Sequence, residues 1–334
     1  MGPFQRGTRF VGEEACGMSR DKDAGQFGTA PPDSFSQNER QFMRSFRYRG
    51  NVPVASVVSD MNYLRGIDQK VESRSRFSSL VVMFGLLTIV IDGFFVFTAI
   101  QPNTPYAQRH FLLIIAGGIA VIGVLAMLGG IICKHYFKHF DIDNRRYEFV
   151  SGLLELLRRD MAEDAAAEID VNFLPHNHRS KFLRTGKVGD WNAVFYTDPW
   201  FIMRGRFLDG TKFSVTLLEK QQDRMRWKRG RTSGKMKKKT KTKIASEIIV
   251  RLNFKNKRYP QAQELSAKVQ QFVRLPQWAE LKSVAAEGES MTIRSTTKKR
   301  WGAGKRPEKR LVRDGVEWVS MAFLSLYKLL NDAK

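Results

Sequence analysis

Two long apolar runs, Phe77–Ile100 and Phe111–Cys133, dominate the hydrophobic pattern, and only ten residues separate them. The runs contain 24 and 23 residues. A helix rises ~1.5 Å per residue, so each run would reach roughly 35 Å and could cross a hydrocarbon core about 30 Å thick. The second run has no charged residue and the first has only Asp92. This pattern predicts a transmembrane helical hairpin, and the alternative is a pair of buried helices in a soluble protein.

Basic residues flank the two runs at their outer ends. They are Arg65, Lys70, Arg74, Arg76, Lys134, Lys138, Arg145 and Arg146. The connecting loop, residues 101–110, contains only Arg109. Because cytoplasmic flanks carry the excess of Lys and Arg, the sequence predicts an integral membrane protein with both termini in the cytoplasm and the loop 101–110 outside.

The segments around the hairpin differ in composition. Residues 1–50 are rich in Gly, Ser, Gln and charge, which predicts a disordered N-terminal arm. Residues 51–76 predict an amphipathic juxtamembrane helix, because apolar residues recur there at helical spacing. These residues are Val57, Met61, Leu64, Ile67 and Val71. After the second run, a single apolar stripe through Leu153 and Leu157 predicts a helical stalk over residues 134–170.

Residues 171–334 predict a cytoplasmic α+β domain with a small antiparallel sheet. Apolar residues alternate with polar ones from Ile244 to Phe254, and Asp209-Gly210 is a hairpin signal. Residues 191–196 and 200–208 predict two strands, separated by Asp198-Pro199 as a turn. Two helices are predicted from apolar spacing, and their residues are Ala262, Leu265, Val269 and Phe272 for the first, then Val319, Ala322, Phe323, Leu326 and Leu330 for the second.

The charge is strongly positive and uneven. The chain of 334 residues has a net charge of +23, and residues 134–334 contain 43 basic against 23 acidic side chains. Two predicted basic loops, residues 224–243 and 298–313, concentrate this charge, and each contains a Trp, Trp227 or Trp301. Such runs require an anion nearby or remain solvated. The expected partners are anionic lipid headgroups, nucleic acid bound without specificity, or an acidic protein.

The candidate anion-binding side chains are the Lys and Arg residues at the core of these two runs. They are Arg224, Arg226, Lys228, Arg229, Arg231, Lys235, Lys237, Lys238, Lys239, Lys241, Lys243, Lys298, Lys299 and Arg300. The segment 224–243 contains eleven basic residues and no acidic one, and we expect it to form the tip of a β-hairpin.

Two features of the apolar runs are candidate sites. Asp92 lies past the centre of the first run, where a carboxylate is costly and is therefore a functional hypothesis. The alternative is that Asp92 is protonated, or reaches water near the outer interface, and only packs. Small residues lie near one face of the second run: Ala116, Ala120, Gly123 and Gly130. Small residues let helices approach closely, so we expect this face to contact the first helix or a second copy of the chain.

The sequence predicts no catalytic residue, cofactor or metal. Gly230–Lys235 is one residue short of a phosphate-binding P-loop, and Met236 stands where Ser or Thr would hold magnesium. His135 and His139 are four residues apart, and two interfacial histidines explain them more simply than a metal site. An enzyme is therefore less expected than a binding protein.

The sequence thus predicts a membrane-anchored cytoplasmic module for binding or scaffolding. It would contact anionic lipid or an acidic partner through its basic loops. The second hypothesis is a subunit of a homo-oligomeric channel or transporter, with Asp92 in the path. The third is a membrane-tethered enzyme of unknown chemistry.

Overall fold

A computed structural model describes residues 35–37, 39–102, 104–232, 234–259, 273–303 and 313–332. The chain forms two compact units. The helical unit contains residues 65–141, and the sheet unit contains Asp33–Leu64 and Ile142–Lys334. The predicted helix around Ala262 and the greater part of the basic segment 298–313 lie outside the described residues.

Two long helices, α2 (Val54–Ile100) and α3 (Tyr106–Lys138), contain the apolar runs. Both are long and apolar enough to cross a membrane by length and composition. Helix α2 is continuous, so the amphipathic segment predicted over residues 51–76 is its first part, preceded by the end of a strand. The five apolar residues of that segment are buried: Val57, Met61, Leu64, Ile67 and Val71.

Glycines bring α2 and α3 into close contact within the helical unit. A Cβ built on Gly123 would lie 2.5 Å from the Thr88 hydroxyl. One on Gly85 would lie 2.7 Å from the Gly123 carbonyl oxygen, and one on Gly130 would lie 2.7 Å from a methyl group of Val82. Real Cβ atoms do not approach other atoms this closely, so the two backbones meet only because these positions have no side chain.

The sheet unit is built on one antiparallel sheet of eight strands, so the expectation of a small sheet is wrong. The strand order is β1-β2-β4-β5-β6-β8-β7, and β3 pairs with β4. The strands are β1 (Arg47–Pro53), β2 (Ala166–Asn172), β3 (Phe182–Val188), β4 (Trp191–Arg206), β5 (Lys212–Arg229), β6 (Met236–Asn253), β7 (Glu280–Glu287) and β8 (Ser290–Thr297).

The sheet gains strands where the sequence predicted none. The helix α1 (Glu39–Ser45) falls inside the segment 1–50 predicted to be disordered, and strand β1 begins inside it and ends at Pro53. Phe42 and Tyr48 are buried there, and the Tyr48 hydroxyl donates to Asp60 at 2.7 Å. Strand β2 begins inside the predicted helical stalk 134–170 and ends just after it; Ile169 and Val171 alternate there with acidic residues at period two. Pairing between β1 and β2 joins segments more than 100 residues apart, which local composition cannot reveal.

The predicted break at Asp198-Pro199 is also absent. Strand β4 runs through this point with a bulge between Pro199 and Phe201, so two predicted strands are one. A bulge adds one residue to a strand and bends it without ending the pairing.

One face of the sheet is covered by the helices α4 (Asn144–Leu157) and α5 (Gly315–Asp332). Val215, Leu217, Ile248 and Val250 are fully buried on this core face. The indole N–H of Trp318 on α5 donates to the Ser295 hydroxyl on β8 at 3.0 Å, which links this helix to the sheet. This arrangement positions the central strands β5 and β6, which extend beyond the core as a hairpin.

Candidate functional site

The basic segment 224–243 is a regular hairpin. Strands β5 and β6 pair from Lys212↔Asn253 to Arg229↔Met236, while the pairing of β6 with β8 ends at Ser246 and that of β5 with β4 ends at Met225. A short turn closes the hairpin, in which the Gly230 N–H donates to the Lys235 carbonyl at 2.9 Å. Gly234 has φ +64°, a conformation that favours glycine. The segment predicted to form the tip of a β-hairpin is therefore an ordered pair of strands, which extends beyond β4 after the Met225↔Thr240 pair.

The register separates the charges onto two faces. Directly opposed residues share a face, and three opposed pairs are Arg224↔Lys241, Arg226↔Lys239 and Lys228↔Lys237. We call the surface formed by these six residues and Lys243 the basic face. Like charges directly opposite each other destabilise a sheet, so this face repels itself unless an anion lies on it.

On this side of the sheet, an acidic side chain is paired with lysines next to the basic face, at Glu247 on β6. Glu247 is 3.2 Å from both Lys220 and Lys282. Burial raises the pKa of Glu247, but hydrogen bonds from the two lysines outweigh it and leave the pKa below its ordinary value. Within the described part of the chain, no residue of the basic face forms an ion pair. The basic face is therefore the part of this sheet surface that lacks counter-charges.

Two arginines of the basic face are held in place by their neighbours. The Arg226 guanidinium lies 4.3 Å from the ring centroid of Trp191 on β4. Arg224 donates to the Gln222 side chain at 2.5 Å. The Nε of each arginine is buried and has no hydrogen-bond partner among the described residues. Pre-positioned guanidinium groups lose less side-chain entropy when they bind an anion.

The opposite side of the hairpin combines apolar and basic groups. Trp227 is 60% exposed and Met236 is 58% exposed, and the register places Lys238 and Arg229 on the same side. An exposed indole and a thioether at the end of a basic hairpin suit the boundary between headgroups and hydrocarbon, where Trp is enriched.

The other predicted basic residues are more scattered. Arg231 and Lys235 lie in or beside the turn, and Lys298, Lys299 and Arg300 are exposed just after β8. Trp301 does not face an anionic partner, because it is 6% exposed and its indole donates to Ser246 at 2.9 Å. The structure therefore assembles the anion-binding candidates mainly on the hairpin.

The sequence did not reveal a buried charge cluster in the sheet unit. Asp198, which is fully buried, accepts hydrogen bonds from Arg146 and from Lys181, each at 2.8 Å. Nearby, Arg145 lies 2.8 Å from the buried Glu219. These partners are 17 to 74 residues apart in the chain, so no local motif marks them. The cluster lies in the core and fixes the strand β4 relative to α4.

We expect Lys181 to make stability depend on pH. Burial, followed by the charge of Arg146, lowers the pKa of Lys181 to about 8 from 10.5, against the opposing effect of Asp198. Between these values the unfolded chain binds more protons at this position, so its contribution to the unfolding free energy rises with pH. The difference in unfolding free energy between the wild type and Lys181→Met should increase by about 1–3 kcal/mol from pH 7 to pH 10. Denaturant titrations at both pH values would measure it, and a pH-independent difference would contradict it.

In the helical unit, Asp92 is 9% exposed and its Oδ1 has no hydrogen-bond partner in the described part of the chain. The small residues Ala116, Gly123 and Gly130 are buried, and Ala120 is half-buried. Gly123 and Gly130 contact α2 of the same chain. Asp92 is thus buried within the helical unit of a single chain.

Comparison of the chain with protein families, curated proteins and solved structures finds no match. Among the residues that the structure describes, no group of three or more His, Cys, Asp or Glu side chains could hold a metal ion. The feature that points to a function is therefore the basic face of the β5–β6 hairpin.

Proposed function

We propose that this protein is a membrane-anchored module whose basic face binds an anionic lipid surface. In this proposal α2 and α3 span the bilayer, and the sheet unit lies on the cytoplasmic side, as the basic flanks of the apolar runs favour. The observation that carries the proposal is the basic face: seven cationic side chains on one side of an ordered hairpin, without an acidic partner among the described residues.

Energy and geometry favour lipid over a small solute. Each basic residue near an anionic membrane contributes about 1 kcal/mol, so a flat array of seven would bind with several kcal/mol. A chain anchored in the same bilayer keeps headgroups at high local concentration. The exposed Trp227 and Met236 beside the array add apolar surface that a lipid boundary can cover.

The test uses full-length protein in nanodiscs of neutral phosphatidylcholine and measures capture of vesicles containing phosphatidylserine. The triple variant Lys237→Gln, Lys239→Gln, Lys241→Gln removes three charges from the basic face. We expect its capture to fall more than tenfold, because about 3 kcal/mol of surface attraction is lost. Capture by the wild type should also weaken with salt, since exposed charges are screened within about 10 Å at 0.1 M.

A matched control removes the same charge from other positions. The variant Arg231→Gln, Lys235→Gln, Lys255→Gln changes two residues at the turn and one exposed residue after the end of β6. Its capture should fall less than threefold. Equal losses in the two variants would show that net charge alone matters and would sink the assignment to the basic face. Single-stranded RNA that displaces the vesicles and binds more tightly than they do would replace lipid with nucleic acid as the partner.

A further inference from the structure

A polar groove lies at the base of the hairpin, on the side opposite the basic face. Four strands meet there in register: one row is Lys187, Asn192, Met225 and Thr240, and the next is Thr185, Val194, Asp223 and Thr242. Because alternate residues of a strand share a face, these rows continue the side that buries Val215 and Leu217. The strands form an open cavity of about 650 Å³.

The groove offers more hydrogen-bond donors than acceptors. Lys187 on β3 and Lys238 on β6, at opposite sides of the groove, are exposed, and neither forms an ion pair with a described residue. Asn192 and Thr240 add a side-chain amide and a hydroxyl. The one carboxylate is already engaged: Asp223 accepts from Thr242 at 2.7 Å and lies 3.2 Å from the Nε2 of His176.

The floor of the groove is apolar only in part, because Asn192 and Asp223 share the central strands with Val194 and Met225. Val194 on β4 and Met225 on β5 lie in adjacent rows, diagonal to each other, and form the apolar part. A ligand that fits must therefore carry anionic oxygens for the lysines, hydroxyl groups for the amide and the threonine, and a carbon face for Met225. Pockets for small molecules commonly have about 300–1,000 Å³, so the cavity matches one such ligand.

We infer that this groove binds a phosphorylated polyol, either free or as the headgroup of a lipid. The inference rests on the proposed function for its lipid form, since a hairpin held at an anionic membrane would bring the groove to the headgroups. In a cyclic polyol, the phosphates lie against Lys187 and Lys238 and the hydroxyl groups of the ring against Asn192 and Thr240. The carbon atoms of the ring lie over Met225. This contact differs from the flat electrostatic contact of the basic face because it depends on hydroxyl groups as well as charge.

The test again uses the full-length protein in neutral nanodiscs, with inositol 1,4,5-trisphosphate as the soluble probe. The groove variant is Lys187→Gln with Thr240→Val, which removes one charge and one hydroxyl at nearly constant shape. The matched control is Lys212→Gln with Thr216→Val, which makes the same changes on β5 away from the groove. We expect the groove variant to bind the trisphosphate at least tenfold more weakly than the wild type. The affinity of the control should stay within threefold of the wild type. The wild type should also prefer the probe to inorganic phosphate by at least tenfold.

Two further arms identify the source of the ligand. Nanodiscs containing phosphatidylinositol 4,5-bisphosphate test the lipid form, and phosphatidylserine vesicles test the basic face alone. Capture of phosphatidylserine that survives the groove variant, together with loss of the trisphosphate, supports the groove as a separate site. Equal probe binding by the groove variant and the control would overturn the inference and leave the proposed function intact. Failure of phosphatidylserine capture with retained, groove-dependent trisphosphate binding would overturn the proposed function and support the free polyol as ligand.

Discussion

Replacing Asp198 with Asn should lower the unfolding free energy of the sheet unit by about 3–5 kcal/mol. Asp198 is fully buried and holds the Arg146 guanidinium and the Lys181 ammonium, each at 2.8 Å. An amide has nearly the same shape but no charge, so the variant removes the carboxylate that Lys181 pairs with and leaves Arg146 only the more exposed Asp143, at 3.5 Å. Arg146 and Lys181 also donate to the Leu174 carbonyl, which is too weakly polar to replace a carboxylate. Denaturant titration of the full chain in detergent, followed by Trp fluorescence, measures the loss.

The matched control is Asp190→Asn, the same chemical change at an exposed turn residue. This variant should stay within about 0.5 kcal/mol of the wild type. Adding Lys181→Met to Asp198→Asn should restore part of the stability, because it removes the buried ammonium that lost its carboxylate partner. If Asp198→Asn were as harmless as the control, the carboxylate would not be the centre of the cluster.

Replacing Gly130 with Leu should separate the two long helices of the helical unit. A Cβ at Gly130 already lies 2.7 Å from Val82 and 3.0 Å from the Ser78 carbonyl oxygen, so a Leu side chain has no room. Overpacking of this kind costs about 1–3 kcal/mol, and more when the obstructing atom is backbone. Energy transfer between labels on the outward-facing Leu80 and Ile132 should report the separation at a lower concentration of sodium dodecyl sulfate than in the wild type.

The adjacent glycine provides the control. A Cβ at Gly129 has no atom within 4 Å apart from its own chain neighbours, so Gly129→Leu adds the same side chain to an open surface. Its transition should coincide with that of the wild type. A shift of similar size in both variants would mean that the added bulk acts through general helix propensity and not through the contact between α2 and α3.

The long-range parts of the fold separate what local sequence can predict from what it cannot. The apolar runs predict α2 and α3 because length and hydropathy are local properties. The alternation that starts at Ile244 likewise falls in β6, where Ile248, Val250 and Leu252 are buried at period two. Strands β1 and β2 escape prediction because each has only seven residues and the two pair with each other across more than 100 residues of chain.

The candidate site follows the same division. Composition places the anion-binding residues in 224–243, but only the pairing register assigns them to faces. A signal was present: Lys237, Lys239, Lys241 and Lys243 occur at every second position, with threonines between the last three. Asp198 shows the opposite case, since its neighbour Pro199 makes it look like a turn residue while its partners lie far away in the chain.

The row of lysines on β6 has a consequence for solubility. Between Met236 and Ser246, the edge of β6 that faces away from β5 pairs with no described strand. This edge therefore presents backbone N–H and C=O groups that no strand satisfies. Such an edge is a template on which a second chain can add a strand, and closely spaced lysines oppose that addition by mutual repulsion. The positive charge that attracts an anionic surface thus also opposes edge-to-edge pairing of β6 strands from two chains. Full neutralisation of this edge would expose the chain to self-association even where the fold itself is unchanged.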